Sequence, residues 1–288
     1  MTLAEQIELA CLMEATARKP GNVHPSASFD DLSYDDFVRA AHAISKPLSA
    51  IHESGLGRAI YNSVKETRDT TGTNVNLGII LLFAPLAAVP DHDRLEDGLP
   101  RILKSTTIED AEHVYASISL AHPGGLGKAV KQDVSERPTV TLFQAMSLAA
   151  DRDRIAEQYV SDFRLVFTAR QKLCELLTRS SDWESAVVWL HVWMMSCWPD
   201  TLIARKCGWA IAEEASLKAR KLIDHTGVDL TFDPRELDKF DAWLRADGHR
   251  RNPGTTADLI AATLFAALRD GLINSPTREQ ILQSAKKE

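Results

Sequence analysis

Apolar residues recur at three- or four-residue intervals in nearly every segment of this 288-residue chain, which is the spacing of helices that bury one face. Segments with the alternating pattern of a strand are almost absent, and the stretch 227–232 is too short to seed a sheet. A chain of this length can bury a large core without metal ions or disulfides. The sequence therefore predicts an all-α protein in which residues 1–288 form a single compact multi-helix domain.

Capping signals and helix breakers set the expected helix bounds. Thr2 with Glu5, and Ser33 with Asp36, have the spacing of a capping box, and the Pro-Gly pair after Lys19 ends the first helix. Residues 91–99 have the composition of a surface turn. The expected helices cover residues 2–19, 33–47, 48–68, 107–120, 138–157, 159–178, 182–196, 200–225, 234–247 and 257–268.

Charge and composition exclude several classes of protein. The net charge of -7 excludes a generally basic nucleic-acid surface, and it requires a polyphosphate ligand to meet local Arg and Lys residues or a metal ion. The four cysteines form no metal-binding pair, which is typical of core residues in a reducing compartment. The apolar run 78–90 is too short to cross a membrane, and the acidic N-terminal segment is unlike a signal peptide. We expect a soluble, cytoplasmic protein with neither a nucleic acid nor a membrane as its partner.

Glu14 is the first candidate for a catalytic role. It follows Leu3, Ile7 and Ala10 on the face that the first helix should bury. A buried carboxylate needs a partner, a metal ion or a proton, so a functional role is one interpretation. A structural ion pair with Arg18, or a frayed last turn, is the alternative.

The loop after this helix offers a second group of candidates. Lys19 could reach a phosphate, Gly21 would let the backbone approach it, and Asn22 would add an amide. The alternative is that the basic residues only favour the negative end of the helix dipole.

An acidic group follows at residues 30–36. Asp30, Asp31 and Asp35 are candidate ligands for Mg²⁺, which binds carboxylate oxygens and is usually also bound by the phosphates of a nucleotide. The alternative is the acidic first turn of a capped helix, because Asp36 stands at capping-box distance from Ser33.

A small, polar loop at residues 72–78 precedes an apolar helix. Free N–H groups at a helix start suit an anion, and Asn74 and Asn76 add amide donors. The alternative interpretation is an ordinary Asn/Gly turn.

The richest candidate stretch is residues 250–258. Its arginines, its Pro-Gly turn and its Thr-Thr helix start together suggest a phosphate cradle. Asp258 stands three residues after the first threonine, which also fits a capping box, but a capping box does not explain the adjacent arginines. The candidate ligand-binding residues here are Arg250, Arg251, Gly254, Thr255 and Thr256, with Asp258 as a second candidate catalytic residue.

Three of these segments, in this order, resemble the signatures of the triphosphoribosyl-dephospho-CoA synthase family. They are residues 19–23 following Glu14, residues 71–78 and residues 252–262. Together they extend over nearly the whole chain, and the family is all-helical. Residues 122–127 and 247–252 make the chain most similar to the branch found in archaea and in bacteria with tetrahydromethanopterin-linked C1 transfer.

The resemblance implies a transferase that moves the triphosphoribosyl group of ATP to an acceptor hydroxyl and releases adenine. The acceptor would be dephospho-CoA or a related cofactor precursor, Mg²⁺ would accompany ATP, and a homodimer is one expected assembly. Glu14 or Asp258 would act as the base. The alternatives are an ATP-dependent transferase or ligase in the biosynthesis of a tetrahydromethanopterin- or methanofuran-type C1 carrier, and a non-catalytic nucleotide-binding protein.

With these roles, Asp30 and Asp31 would bind Mg²⁺. Lys19, Arg250 and Arg251 would hold phosphates with the backbone around Gly254. Asn74 would orient the ribose or the base.

Overall fold

A computed structural model describes residues 1–123, 132–226, 231–274 and 276–286. Within these residues the chain forms helices almost throughout, with one four-residue strand, so the prediction of an all-α fold is confirmed. The elements are α1 (Leu3–Thr16), α2 (Tyr34–Ser49), α3 (Ile51–Ser54), α4 (Leu56–Thr71), α5 (Leu77–Ala87), α6 (Leu95–Lys104), α7 (Ile108–Ala121), α8 (Leu142–Ser147), α9 (Arg154–Val160), α10 (Arg164–Arg179), α11 (Trp183–Cys197), α12 (Thr201–Cys207), α13 (Trp209–Asp224), α14 (Pro234–Arg245), β1 (Ala246–His249), α15 (Gly254–Arg269) and α16 (Arg278–Ser284).

Both capping boxes that the sequence predicts are present. The Thr2 hydroxyl accepts from the backbone N–H of Glu5, and the Glu5 carboxylate accepts from the backbone N–H of Thr2 at 2.7 Å. Ser33 and Asp36 repeat the arrangement at the start of α2, with the Ser33 N–H donating to Asp36 at 2.9 Å. Each box satisfies donors that a helix start otherwise leaves open.

Three of the expected helices are interrupted. The backbone at Gly55 and at Gly208 has φ of +83° and +91°, conformations that only glycine adopts easily, and each glycine separates two helices. The expected helices 48–68 and 200–225 are therefore each divided in two. The expected helix 138–157 consists of α8 and α9, because Asp153 caps a new start by accepting from the N–H of Ile155 at 2.8 Å.

The surface turn expected at residues 91–99 is largely wrong, because α6 begins at Leu95. Leu95, Leu99 and Leu103 follow one another at four-residue intervals and are buried against the core. Their spacing is helical, but Gly98 and Pro100 gave the segment the composition of a loop.

The core is built around α15. Nearly every residue of α15 from Leu259 to Leu268 is buried, and α1, α5, α10, α11 and α12 pack against it. Phe265 stacks on Phe83 of α5 with ring centroids 4.6 Å apart. A smaller apolar cluster joins α11, α12, α13 and α14. This packing brings the loop after α1 and the starts of α5 and α15 to a common place.

Among the described residues, no helix is both long enough and apolar enough to cross a membrane.

Candidate functional site

The three loops that the sequence singled out line one cavity of about 820 Å³. It receives Asn22 and Asp31 from the loop after α1, residues 72–78 before and at the start of α5, and Asn252 with the first turn of α15. Its size is that of a site for one or two small molecules. These loops, which are far apart along the chain, therefore share one cavity.

Two carboxyl groups, those of Glu14 and Asp258, lie in the cavity wall. No hydrogen bond or ion pair from a described residue reaches Asp258. Burial raises the pKa of Asp258 well above its ordinary value, and the negative charges of Glu14, Asp200 and Asp153 raise it further. A side chain on Gly78 would collide with the Asp258 carboxyl group, so glycine is required there.

Glu14 lies at the end of α1 and is only 3% exposed. Burial raises the pKa of its carboxyl group, and the ammonium group of Lys19, 3.0 Å from Glu14 Oε1, acts in the opposite direction. The sequence offered Arg18 as the partner of Glu14 in the alternative interpretation. Arg18 instead pairs with Glu184 of α11 at 2.6 Å. The two carboxyl groups thus differ, because Glu14 is ion-paired with Lys19, whereas Asp258 forms no ion pair with a described residue and the charge of Arg205 acts on it only from beyond ion-pair distance.

Lys19 and Gly21 do not line the cavity. Lys19 is fully buried, and its ammonium group contacts Glu14 and the carbonyl oxygens of Glu14 and Ala17. Gly21 donates its N–H to Asp241 at 2.7 Å and lies against α14, where a side chain would meet Leu244. The structure therefore places both residues outside the cavity wall, and their contact with a phosphate stays a prediction.

The arginines of the last loop also point elsewhere. Arg250 donates to the carbonyl of Lys206 at 3.0 Å, and Arg251 lies over the Trp243 ring, 4.6 Å from its centroid. Neither lines the cavity, and Thr256 does not either, since its N–H and hydroxyl both donate to the buried Asp200. The structure thus places these three residues outside the cavity wall, and their contact with a ligand stays a prediction.

Four other basic residues line the cavity: Arg68, Arg152, Arg205 and Lys206. Arg205 lies 3.5 Å from Asp153, and burial, followed by the charge of Arg205, lowers the pKa of Lys206. The signal that could have found these residues is the buried N-cap Asp200, which fixes α12 against α15 and so turns this helix toward the cavity.

The predicted magnesium ligands do not come together. Asp31 lines the cavity and lies 3.0 Å from His249, whereas Asp35 pairs with Arg39 at 2.9 Å and Asp30 is exposed outside the cavity wall. Among the described residues, no three His, Cys, Asp or Glu side chains are grouped as a metal site. The structure does not group these three aspartates, and Asp31 is the member that lines the cavity; their role as Mg²⁺ ligands stays a prediction.

The amide candidates Asn22, Asn74 and Asn76 all line the cavity. Asn22 Nδ2 donates to Asn252 at 2.7 Å, and Asn76 Oδ1 accepts from Thr67 at 3.1 Å. The second polar atom of each buried amide, Asn22 Oδ1 and Asn76 Nδ2, has no partner among the described residues. Buried unpaired groups of this kind are uncommon and suit a ligand that completes them.

Backbone and hydroxyl groups complete the polar wall. Asn74 caps the start of α5, with its Oδ1 accepting from the N–H of Leu77 at 3.3 Å. Gly254 and Thr255 also line the cavity, and Thr255 accepts from the hydroxyl of Thr201 at 3.2 Å.

The opposite wall of the cavity is apolar. Val114, Tyr115 and Ile118 of α7 face it together with Leu142 and Met146 of α8. His122 and Pro123 reach the same space, and residues 124–127 of that loop lie outside the described residues.

Two large apolar side chains, Leu148 and Trp209, line the cavity although they are 44% and 46% exposed. Trp209 directly follows Gly208, whose left-handed backbone separates α12 from α13. An exposed aromatic ring beside a polar cavity is suited to contact with a planar ligand.

Comparisons with known proteins agree with this arrangement. Residues 1–277 match the family model described as CitG: ATP:dephospho-CoA triphosphoribosyl transferase. The fold is similar to a crystal structure from Archaeoglobus fulgidus, of a protein proposed to be a triphosphoribosyl-dephospho-CoA synthase, with a TM-score of 0.64 over 81% of this chain and 99% of that one. At 23% identity this likeness concerns the fold alone. A search of curated proteins gave no match.

Proposed function

Because this chain belongs to the ATP:dephospho-CoA triphosphoribosyl transferase family, we propose that the cavity described above is where ATP and its acceptor react. The protein is a transferase that moves the triphosphoribosyl group of ATP to an acceptor hydroxyl, with release of adenine. In this reaction the bond from C1 of the ribose to adenine breaks, and a bond from C1 to the acceptor oxygen forms. The transition state resembles the oxocarbenium ion of glycoside cleavage.

The observation that carries the proposal is the pair of buried carboxyl groups in the cavity wall. A displacement at C1 needs a base for the hydroxyl proton and an acid for the departing adenine, and two carboxyl groups with different protonation serve both needs. Glu14 is ion-paired with Lys19 and is the base, whereas Asp258 is ion-paired with no described residue and keeps its proton as the acid. This assigns separate roles to the two residues that the sequence offered as alternatives.

The triphosphate belongs on the basic side of the cavity, near Arg205, Lys206 and Arg152. These residues replace Lys19, Arg250 and Arg251 in that role. Charge-assisted hydrogen bonds from such groups to phosphate oxygens are stronger than neutral ones. They also supply the local positive charge that a chain with a net charge of -7 needs.

Magnesium fits this side of the cavity only when phosphates supply most of its ligands. Mg²⁺ is usually held by one or two carboxylates together with substrate phosphates and water. Asp31 and Asp153 line the cavity close to Lys206 and Arg205, so either carboxylate would hold the ion. The bound ion would neutralise part of the charge of the triphosphate.

The apolar side of the cavity suits the acceptor. The side chains that α7 and α8 present to it are mostly apolar, and Trp209 adds a ring face elsewhere in the cavity wall. Dephospho-CoA is the acceptor that the family description gives, and the resemblance to the C1-transfer branch makes a pterin- or furan-type precursor the second candidate. A cytoplasmic location and a homodimer stay predictions.

The reaction is tested by incubating the protein with ATP, Mg²⁺ and a panel of acceptors, followed by mass spectrometry. We expect free adenine, and an acceptor whose mass has increased by one triphosphoribosyl group. ADP or AMP as the product would indicate phosphoryl or nucleotidyl transfer instead. Binding of ATP without turnover across the panel would favour a non-catalytic nucleotide-binding protein.

The catalytic pair is tested by Glu14→Gln and Asp258→Asn. Each change removes one proton-transfer group, so kcat should fall by ~10²-fold or more while the fold is kept. Asp238→Asn, on the exposed face of α14, is the matched control and should leave kcat unchanged. Full activity in both cavity variants would remove the assignment.

A further inference from the structure

Lys19 is a buried lysine whose ammonium group is fully used inside the protein. Its Nζ lies 3.0 Å from Glu14 Oε1, donates to the backbone carbonyl of Glu14, and donates to the carbonyl of Ala17 at 3.2 Å. An ammonium group has three protons, and each has an acceptor here. The side chain is 0% exposed, so no solvent shares in holding this charge.

Among the described residues, the positive charge in contact with the Glu14 carboxyl group is that of Lys19. His191 of α11 faces Lys19 and is neutral, because burial, followed by the charge of Lys19, lowers its pKa to about 3. Cys11 of α1 is also neutral, since burial and the charges of Glu14, Glu8 and Asp258 raise the pKa of its thiol. Asp258 of α15 is the remaining acid near Glu14. The charges of Asp200 and Asp153 raise its pKa as well, and the charge of Arg205 acts against them without forming an ion pair with Asp258.

We propose that Lys19 is a positioning residue that fixes the negative charge of the buried carboxyl pair on Glu14 and thereby leaves the proton on Asp258. Two carboxyl groups in one buried site do not both ionise readily. A single cation bound to one of them decides which one does. This inference rests on the proposed function for its catalytic consequence, although the location of the proton is a property of the resting protein.

With the charge on Glu14 and the proton on Asp258, the cavity holds a base and an acid before the reaction begins. The Glu14 carboxylate takes the proton of the acceptor hydroxyl as its oxygen bonds to C1. The Asp258 carboxyl group gives its proton to adenine as the bond from C1 to adenine breaks. One proton has then passed from the acceptor to adenine in net terms, and transfer of the proton from Glu14 to Asp258 restores the resting protein. Lys19 keeps its own protons throughout.

A purely structural ion pair would behave differently from such a device. Replacing both partners of a buried pair by neutral groups is often harmless to stability, whereas removing one partner leaves an unpaired charge. Measurements of Tm therefore distinguish the single variants from the double variant. Measurements of activity distinguish a structural role of Lys19 from a positioning role.

The first experiment needs no activity. We expect Glu14→Gln to lower Tm, because it leaves the Lys19 charge buried and unpaired. We expect Asp258→Asn to leave Tm unchanged or to raise it, because the amide resembles the protonated acid. The opposite pair of results, with Asp258→Asn destabilising and Glu14→Gln neutral, would place the charge on Asp258 and overturn the proposal. This holds whether or not the protein releases adenine.

The second experiment uses Lys19→Met and the double variant Lys19→Met/Glu14→Gln in the adenine-release assay. Lys19→Met should lower kcat/KM by ~10²-fold at pH 7 and should move the acid limb of the pH profile to higher pH, because Glu14 then ionises less readily. The double variant should regain Tm relative to Lys19→Met without regaining activity. A loss of activity in Lys19→Met that is equal at every pH would show a structural role only. Absence of adenine release by the unaltered protein would count against the proposed function and would leave the stability result standing.

Discussion

Two aspartates near the start of α15, the buried Asp200 and the partly buried Asp258, show opposite uses of the same side chain. Asp200 accepts hydrogen bonds from the backbone N–H groups of Leu202 and Ile203, at 2.8 and 3.0 Å, and from the N–H and hydroxyl of Thr256, at 2.7 and 2.8 Å. Asp258, two residues after Thr256 in α15, accepts no side-chain hydrogen bond from any described residue. Burial raises the pKa of both carboxyl groups. At Asp200 the hydrogen bonds just described lower the pKa and so oppose the effect of burial.

Under the proposed function, the difference separates a structural aspartate, Asp200, from a catalytic one, Asp258. The bonds of Asp200 join the start of α12 to the first turn of α15, and they compensate the loss of water around its charge. Asp258 has no such compensation, and it faces a cavity that contains Glu14, Asp153 and Arg205. An uncompensated carboxyl group is unfavourable for folding, and it is retained where chemistry needs a proton.

The largest effect that we expect is on stability, from Asp200→Ala. It removes the cap of α12 and leaves the Thr256 donors buried without an acceptor, for a loss of about 3 kcal/mol and a fall in Tm of roughly 6–12 °C. Asp258→Ala should leave Tm close to that of the unaltered protein. Thermal unfolding followed by circular dichroism measures both. Similar falls in Tm for the two variants would show that the two aspartates do not differ in role.

The cations near these aspartates give the second test. Arg205 lies beside Asp153 in the cavity, whereas Arg250 lies outside it and donates to a backbone carbonyl. Arg205→Met should raise KM for ATP by ~10–100-fold, the loss expected for one charge-assisted contact to phosphate. Arg250→Met, the matched control, should change KM by less than ~3-fold. KM is measured from the steady-state kinetics of adenine release. A larger increase in KM for Arg250→Met than for Arg205→Met would contradict the assignment.

Much of the fold and part of the site could be predicted from the sequence, because both depend on local patterns. Helical spacing and capping boxes gave the helices, and the small polar loops at residues 72–78 and 250–258 gave two walls of the cavity. Glu14 and Asp258 could be found because a carboxylate on an apolar face demands an explanation. The interruptions at Gly55 and Gly208 were missed, since glycine within a helical pattern is often tolerated.

The direction of the basic side chains could not be predicted. Lys19 and Arg251 lie next to cavity residues along the chain, yet their charged groups turn toward Glu14 and toward the Trp243 ring. Adjacent positions on a loop do not share a direction, and only tertiary packing decides it. Lys206 shows the reverse case, because α12 is brought to the cavity by a bond between Asp200 and a residue more than fifty positions away.

The smallest expected effect is a dependence of stability on pH that is specific to Asp258. Burial raises the pKa of Asp258 above its value in the unfolded chain, so the folded protein keeps a proton that the unfolded chain releases. The stability from this proton is fully present below the unfolded pKa of about 4, and it is lost as pH rises through the folded pKa. Asp258→Asn carries no titrating proton, so its Tm should equal that of the unaltered protein near pH 4 and exceed it by about 3 °C at pH 8.

Asp238→Asn, a substitution at an exposed site, is the control for this pH series and should follow the unaltered protein at both pH values. A constant difference between Asp258→Asn and the unaltered protein from pH 4 to pH 8 would mean that Asp258 titrates alike in the folded and unfolded chains. Asp258 and Asp200 would then differ only in their hydrogen bonds. A difference that widens with pH would instead tie the absence of partners at Asp258 to the proton that it holds for the departing adenine.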